Sequence, residues 1–133
     1  MIKMKKLLAI VVLGLLWSGS AKAEWEFIEN LDNGNKFFAD VKSFKTDSNY
    51  SYMWTLTDLK KPYIHMNKEM RSYAEYNKID CKLSRYGKLQ YVFYEGQKGT
   101  GQPTPFQREE MKWLYPPPGS SGFNFIKAVC DNS

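Results

Sequence analysis

The stretch MRSYAEYNKIDC, residues 70–81, decides the fold of this chain. From Tyr73 to Cys81 its side chains alternate with a period of two, which is typical of a β-strand. Neither face of this strand is purely apolar, so we expect one face to be partly solvated or packed on a partner. The strand ends at Cys81, and the second cysteine, Cys130, lies almost at the C-terminus. We therefore expect a sheet and a closing helix arranged around a Cys81–Cys130 tie.

The first 23 residues have the pattern of a secretory signal peptide. Three lysines precede an apolar run, residues 7–17, that has signal-peptide length and is short for a membrane span. Ala21 and Ala23 fit the small-x-small rule of signal peptidase, so we expect cleavage between Ala23 and Glu24. The alternative is an uncleaved N-terminal anchor. Ser18-Gly-Ser20 stands where a lipoprotein carries its acylated cysteine, so we expect no lipid anchor.

The basic charge of the chain belongs largely to this signal. The full sequence has 19 basic and 14 acidic residues, and four of its lysines lie in the first 23 positions. The mature chain, residues 24–133, keeps 15 basic and 14 acidic residues, a net charge of +1. The basic pI is therefore no evidence for nucleic-acid binding. The 110 mature residues suit a single domain, and without a second long apolar run we expect no transmembrane segment in it.

Two cysteines in an exported chain favour a disulfide. Pairing Cys81 with Cys130 closes a loop of about 50 residues, which contributes roughly 4 kcal/mol in the chain-entropy model. The alternative is two free thiols or a metal pair. A single histidine and two cysteines so far apart in sequence do not supply a zinc site.

Period-two patterns and turn residues divide the mature chain into strands and loops. We predict strands over residues 24–30, 36–40, 50–58, 71–81 and 88–94, with a further strand or turn over 83–85. Asn33-Gly34 predicts a hairpin turn between the first two. We predict a short turn or helical step over 40–44 that tucks Val41 and Phe44 inward, a polar loop over 45–49, a long exposed loop over 59–69 and a glycine- and proline-rich loop over 95–105. Residues 106–115 suit either a short helix or an edge strand.

A C-terminal helix is predicted from Gly122 to about Cys130, capped by Ser120 or Ser121. Phe123, Ile126 and Val129 recur at helical spacing and give it one apolar face. The predicted fold class is α+β and mostly β: an antiparallel sheet of about five or six strands with a C-terminal helix tied by a disulfide.

The sequence holds few candidates for catalysis. His65, the only histidine, lies in the lysine-rich segment 59–69, where a histidine is usually a surface residue. The G-x-S-x-G, H-E-x-x-H and nucleotide-loop motifs are absent. Residues 96–101 resemble a phosphate loop only superficially, because prolines and not a helix follow. We therefore predict a non-enzymatic protein without a cofactor or a metal, with no catalytic residues to name.

The remaining candidate is a surface patch that mixes basic and apolar residues. Its predicted partner-binding residues are Lys60, Lys61, Tyr63, Lys68 and Arg71. Such a mixture can dock an acidic protein, a glycan or anionic lipid. The alternative is a solvated loop whose Tyr63 and Ile64 fold back onto the core. A free sheet edge is a further way to pair with a partner strand.

A series of short motifs covers nearly the whole mature chain in a characteristic order. They are Trp25, Phe37-Phe-Ala-Asp40 with Val41-Lys-Ser43, Met53-Trp-Thr-Leu-Thr-Asp58, Ser72, Ile79-Asp-Cys81, Tyr91, Tyr94, Gly99-x-Gly101, Trp113, Pro118-Gly-Ser120 and Ala128-Val-Cys130. In this order they resemble the surface-adhesin protein E family of Gram-negative bacteria. The resemblance implies an antiparallel sheet with a disulfide-tied C-terminal helix, and an adhesin that binds host matrix proteins, sometimes as a homodimer.

Three hypotheses for function follow. The first is an exported, non-enzymatic adhesin-E-like protein, in the periplasm or on the outer cell surface, that binds a protein partner through its sheet or loop surface. The second is a periplasmic or envelope-associated accessory module that binds a small molecule or an envelope protein. The third is an enzyme with an unrecognised site, which needs an ordered pocket with perturbed carboxylates or with His65.

Overall fold

The computed structural model describes residues 23–106 and 110–131. Its strands are β1 (Glu26–Asn30), β2 (Lys36–Thr46), β3 (Ser51–His65), β4 (Lys68–Asp80), β5 (Arg85–Tyr94) and β6 (Pro103–Phe106), followed by helix α1 (Ser121–Asp131). The strands form one antiparallel sheet in chain order from β1 to β6. This confirms the predicted fold class. The predicted signal peptide lies outside the described residues, apart from Ala23 at its end.

The first two strands form the predicted hairpin. Gly34 has a φ of +90°, a conformation that glycine adopts without a steric penalty. The backbone N–H of Asn35 donates to Oδ1 of Asn33 at 3.0 Å, which holds the turn. β1 begins at Glu26, two residues after the predicted start, and Trp25 precedes it.

The prediction of a turn or helical step over residues 40–44 is wrong, because β2 runs through this segment as far as Thr46. The pairing with β3 shifts register between Asp40 and Lys45. Inside the shift, the Ser43 hydroxyl donates to the Asp40 carbonyl at 2.6 Å and accepts from the Trp54 N–H at 2.9 Å. The side chain thus replaces backbone ladder bonds and the strand continues. Val41 is exposed, while Phe44 packs against the core.

The prediction of a long exposed loop over residues 59–69 is also wrong. β3 and β4 continue outward as a hairpin that turns at Met66 and Asn67, with φ values of 51° and 65°. Two consecutive positive φ values are those of a type I′ turn, which matches the twist of paired strands. Pro62 is tolerated because it lies in a register shift between Asp58 and Tyr63, where no ladder bond is needed.

Helix α1 covers one face of the sheet, near the start of β3 and the end of β4. Ile126 and Val129 pack there against Met53, Ala39 and Ile79. The helix begins one residue before the predicted start, and the Phe123 N–H donates to the predicted cap, Ser120, at 3.2 Å. A disulfide joins Cys81, just after β4, to Cys130 in α1, which confirms the predicted pairing.

The opposite face has its own apolar cluster, formed by Phe38, Leu56 and Ala74. Trp25 and the segment after β5 fold over it. The prediction that residues 95–105 form only a loop is corrected, because they include a 3₁₀ turn, Gln97–Gly99, and most of β6. The Lys98 N–H donates to the Asp58 carboxylate, and the Gly99 N–H donates to the Ser72 hydroxyl. These two bonds fix the turn against the sheet.

The segment predicted as a helix or an edge strand, residues 106–115, is only partly described. Phe106 ends β6, and residues 107–109 lie outside the described residues. Leu114 forms an isolated bridge with Tyr86 of β5, and no helix occurs over residues 110–115. In the described part of the chain, no helix has the length and apolar character needed to span a membrane.

Candidate functional site

The predicted patch lies on the outer half of the β3–β4 hairpin. We call it the hairpin surface and define it by Lys60, Lys61, Tyr63, Ile64, Met66, Lys68 and Arg71. All seven side chains are exposed, and Met66 at the turn is 80% exposed. The patch is therefore a strand-built surface and not a mobile loop, so its side chains are held in fixed register.

The basic residues of the hairpin surface have different neighbours. The Arg71 guanidinium pairs with Glu69 at 3.1 Å, and both side chains are exposed. The Lys60 N–H donates to Oδ1 of Asn35, and its side chain reaches Gly34 in the β1–β2 turn. The five predicted residues are therefore not one compact cluster: Lys60 leans toward the first hairpin, and Lys68 lies opposite His65 in the second.

Aromatic rings support the hairpin surface from below. Tyr63 and His65 both stack on Phe93 of β5, at ring distances of 5.5 and 5.0 Å. Phe106 of β6 meets the His65 ring edge-on at 6.1 Å. Sequence reasoning missed the role of Phe93 and Phe106, because it treated residues 59–69 as a loop with no strand neighbours. The alternation of Tyr91 and Phe93 was the available signal, since it marks one face of β5.

His65 is thus a member of a ring stack. Among the described residues, no group of three or more His, Cys, Asp and Glu side chains is placed to hold a metal ion. The geometry around His65 gives a packing role for the imidazole on the rings of Tyr63 and Phe93.

A buried polar cluster lies inward from these rings, on the face that α1 partly covers. The Lys88 ammonium lies 3.4 Å from Oε1 of Glu75 and donates to Oδ1 of Asn77 at 2.6 Å. The Asn77 amide donates to the Met53 carbonyl at 3.0 Å and to the Thr55 hydroxyl at 2.9 Å. The polar side chains of β4 on this face therefore have their hydrogen-bond and ion-pair partners within the protein and not in solvent.

Two tyrosines beside this cluster have altered acidity. Burial raises the pKa of Tyr73, and the negative charge of Glu75 adds to the effect. Burial likewise raises the pKa of Tyr86, again with a contribution from Glu75. Both phenols therefore stay protonated at neutral pH, and they line the space around the Glu75–Lys88 pair as neutral groups.

Three of the cavities that the described residues form open on this face. One of ≈ 300 Å³, which we call the aromatic pocket, is lined by Leu59, Tyr63, Tyr73, Glu75, Tyr91 and Phe93. A second of ≈ 170 Å³ adjoins it, since Tyr73 and Glu75 line both, and it reaches Gly122 in the first turn of α1. The third, of ≈ 570 Å³, is an apolar groove between α1 and strands β1 to β3, with Phe37, Val41 and Phe125 among its walls.

The opposite face carries alternating rings and cations. The Lys78 ammonium lies 4.2 Å from the Tyr50 ring centre, and the Arg85 guanidinium lies 4.1 Å from that of Trp113. Arg85 also bonds Asp80 at 2.8 Å. Burial opposes ionisation of Asp80, but the bonds from Arg85 and from two backbone N–H groups outweigh it and lower the pKa of Asp80. These contacts attach the segment around Trp113 to the sheet.

Comparison with known proteins adds a family and a fold. The family described as surface-adhesin protein E matches residues 25–131 of the chain. No curated protein sequence matches it significantly. Crystal form II of Haemophilus influenzae protein E is similar with a TM-score of 0.67 and 18% identity, over 85% of this chain and 94% of that one.

Two further solved structures of protein E are similar to this chain to nearly the same degree. Another structure of Haemophilus influenzae protein E gives a TM-score of 0.67 at 18% identity, over 85% of this chain and 91% of that one. Protein E from non-typeable Haemophilus influenzae gives a TM-score of 0.66 at 18% identity, over 85% of this chain and 80% of that one. At this identity the structural likeness establishes a shared fold.

Proposed function

The chain belongs to the surface-adhesin protein E family, and from this premise we propose that it is an exported, non-enzymatic adhesin that binds a protein partner through its hairpin surface. The partner is a host matrix protein or another protein of the cell envelope. The proposal includes removal of the signal peptide between Ala23 and Glu24, and a location in the periplasm or on the outer surface without a lipid anchor.

The observation that carries this proposal is the combination of exposed apolar and basic groups on a rigid element. Tyr63, Ile64 and Met66 are 50, 59 and 80% exposed. Large exposed apolar side chains bordered by charges are typical of protein-binding surfaces. The ring stack on Phe93 and the paired strands hold this surface in place, so a partner does not have to order it on binding.

The exposed lysines of the hairpin surface favour a partner with a negatively charged surface. Lys60, Lys61 and Lys68 are exposed, and among the described residues Glu69 pairs with Arg71. An acidic patch on the partner then speeds association, and the effect weakens as salt rises. A second copy of this surface carries the same lysines, so an acidic partner complements the charge of the hairpin surface better than a second copy does.

Saturable binding of the purified mature chain to immobilised vitronectin and laminin tests the proposal. We expect saturable binding that Lys60→Glu/Lys61→Glu weakens by about tenfold or more and that higher salt weakens as well. The matched control is Lys82→Glu/Lys127→Glu, which changes the net charge equally at two exposed sites outside the hairpin. Equal losses in both variants would assign binding to net charge alone, and no saturable binding to either protein would remove the matrix-adhesin claim.

The ≈ 570 Å³ apolar groove beside α1 favours a second candidate, a periplasmic accessory module that binds an apolar small molecule. Cell fractionation separates the two candidates. Degradation of the chain by protease added to intact cells supports the adhesin, whereas recovery only in the periplasmic extract supports the accessory module.

A further inference from the structure

The aromatic pocket lies beneath the hairpin surface and combines four aromatic rings with one buried carboxylate. We propose that it binds a small organic cation, specifically a quaternary ammonium group of the size found in choline. The proposal concerns a small-molecule site and does not depend on the protein partner proposed above, although Tyr63 contributes to both.

The rings that form the pocket come from three adjacent strands. Tyr63 of β3 stacks on Phe93 of β5 at 5.5 Å, and Tyr73 of β4 meets Phe93 at 6.0 Å with an interplanar angle of 53°. Tyr63 and Phe93 are stacked and Tyr73 is tilted against Phe93, and these rings border a concave space of ≈ 300 Å³ together with Tyr91 and Leu59. That volume lies at the lower end of small-molecule sites.

The chemistry of this lining selects for a cation. The face of an aromatic ring carries partial negative charge and attracts an ammonium group within about 6 Å. A quaternary ammonium group has no N–H to donate, so rings satisfy it better than hydrogen-bond acceptors do. The high pKa of Tyr73 keeps its phenol neutral, so its ring acts through this quadrupole at neutral pH.

Glu75 gives the pocket its charge balance. It is only 8% exposed, and it lines both the aromatic pocket and the smaller cavity beside it. Lys88 lines only the smaller cavity and lies 3.4 Å from the Glu75 carboxylate. The paired Glu75 carboxylate and Lys88 ammonium together add no net charge beside the pocket. Without the carboxylate charge, Lys88 would leave a buried positive charge that repels a cationic ligand.

The test uses choline as the probe and the folded, disulfide-bonded mature chain. Ring-proton NMR spectra are recorded during titration to tens of millimolar. The neutral comparator is 3,3-dimethyl-1-butanol, which has the shape of choline with carbon in place of the charged nitrogen. We expect saturable shifts of the Tyr63, Tyr73 and Phe93 rings with choline and at least tenfold weaker binding of the alcohol. Equal binding of the two compounds, or no saturable shift with choline, would overturn the proposal.

Variants complete the test. Phe93→Leu keeps an apolar side chain but removes the aromatic ring, and we expect it to weaken choline binding by roughly tenfold. The matched control is Phe27→Leu, which removes an exposed ring of β1 and should leave the choline affinity unchanged. We expect Glu75→Gln to abolish binding. If that variant does not fold, Phe93→Leu still decides, because unchanged choline affinity in a folded Phe93→Leu protein contradicts the site. Unchanged choline binding in Lys60→Glu/Lys61→Glu keeps this result separate from that for the protein partner.

Discussion

Removing the Cys81–Cys130 bond tests how the sheet and the helix depend on each other. The bond spans a sequence separation of 49 residues and joins the residue after β4 to helix α1. In the chain-entropy model, closing a loop of that length lowers the entropy of the unfolded chain by about 14 cal/mol/K, or about 4 kcal/mol at 25 °C. That is a large part of the roughly 5–15 kcal/mol that stabilises a typical domain.

Three variants remove the bond: Cys81→Ser, Cys130→Ser and the double variant. Each removes the same covalent bond, so we expect each to lose about 4 kcal/mol of unfolding free energy. The double variant should lose no more than either single variant, because the second substitution has no bond left to break. The 11 residues of α1 are marginally helical alone, so the helix should be the first element to loosen.

Urea unfolding at neutral pH, followed by circular dichroism, measures these losses. A difference of more than about 1 kcal/mol between the two single variants, or a loss in the double variant equal to the sum of both, would contradict a single shared bond. A thiol titration of the native exported protein supplies an independent check. Two reactive thiols in that protein would contradict the pairing itself.

Three further predictions concern the core, the acid range and the hairpin turn. Ile126→Ala should lower the unfolding free energy by about 2–5 kcal/mol in urea, because Ile126 is 3% exposed, whereas Lys127→Ala on the exposed side of α1 should change it by less than about 0.5 kcal/mol. The pKa of Asp80 is lower in the folded chain than its ordinary value of 3.8, so ionised Asp80 stabilises the fold above that pH. This contribution is lost as the pH falls through the pKa of Asp80 in the folded chain, so the difference in unfolding free energy between the wild type and Asp80→Asn should shrink in acid. A difference that stays constant with pH would contradict this. Replacing Met66-Asn67 by Asn-Gly should raise the unfolding free energy by about 1 kcal/mol, because glycine removes a positive-φ penalty, and a loss of stability would argue against the type I′ turn.

Elements with a strong local pattern were predictable from the sequence. The alternation from Tyr73 to Cys81 gave β4, Asn33-Gly34 gave the first turn, and the apolar spacing from Phe123 to Val129 gave α1. In each case the residues that determine the element lie within a few positions of one another. Local periodicity and turn chemistry were therefore sufficient.

The hairpin surface was found in sequence but with the wrong backbone. Pro62 and the lysines around it suggest a loop, and Met66-Asn67 is not a usual type I′ pair. What makes the segment a hairpin is pairing between distant residues and the rings of β5 beneath it, such as Phe93 under His65. Long-range packing overrode local propensity here.

The aromatic pocket was not predictable from the sequence for the same reason. Its lining comes from β3, β4 and β5, and only the register of these strands places Tyr63 and Phe93 beside Glu75. Sequence alternation showed that Glu75 and Asn77 share a face of β4. It gave no indication that Lys88 would pair with them, because a register shift between Tyr76 and Asn77 sets that contact.

Amide hydrogen exchange of the mature chain, alone and saturated with vitronectin or laminin, shows which surface a bound partner covers. We expect added protection at the outer hairpin, from Tyr63 through Lys68, and unchanged exchange along α1. Protection that falls on α1 or on the face that carries Trp113, with the hairpin unchanged, would contradict the claim that this protein acts through its hairpin surface.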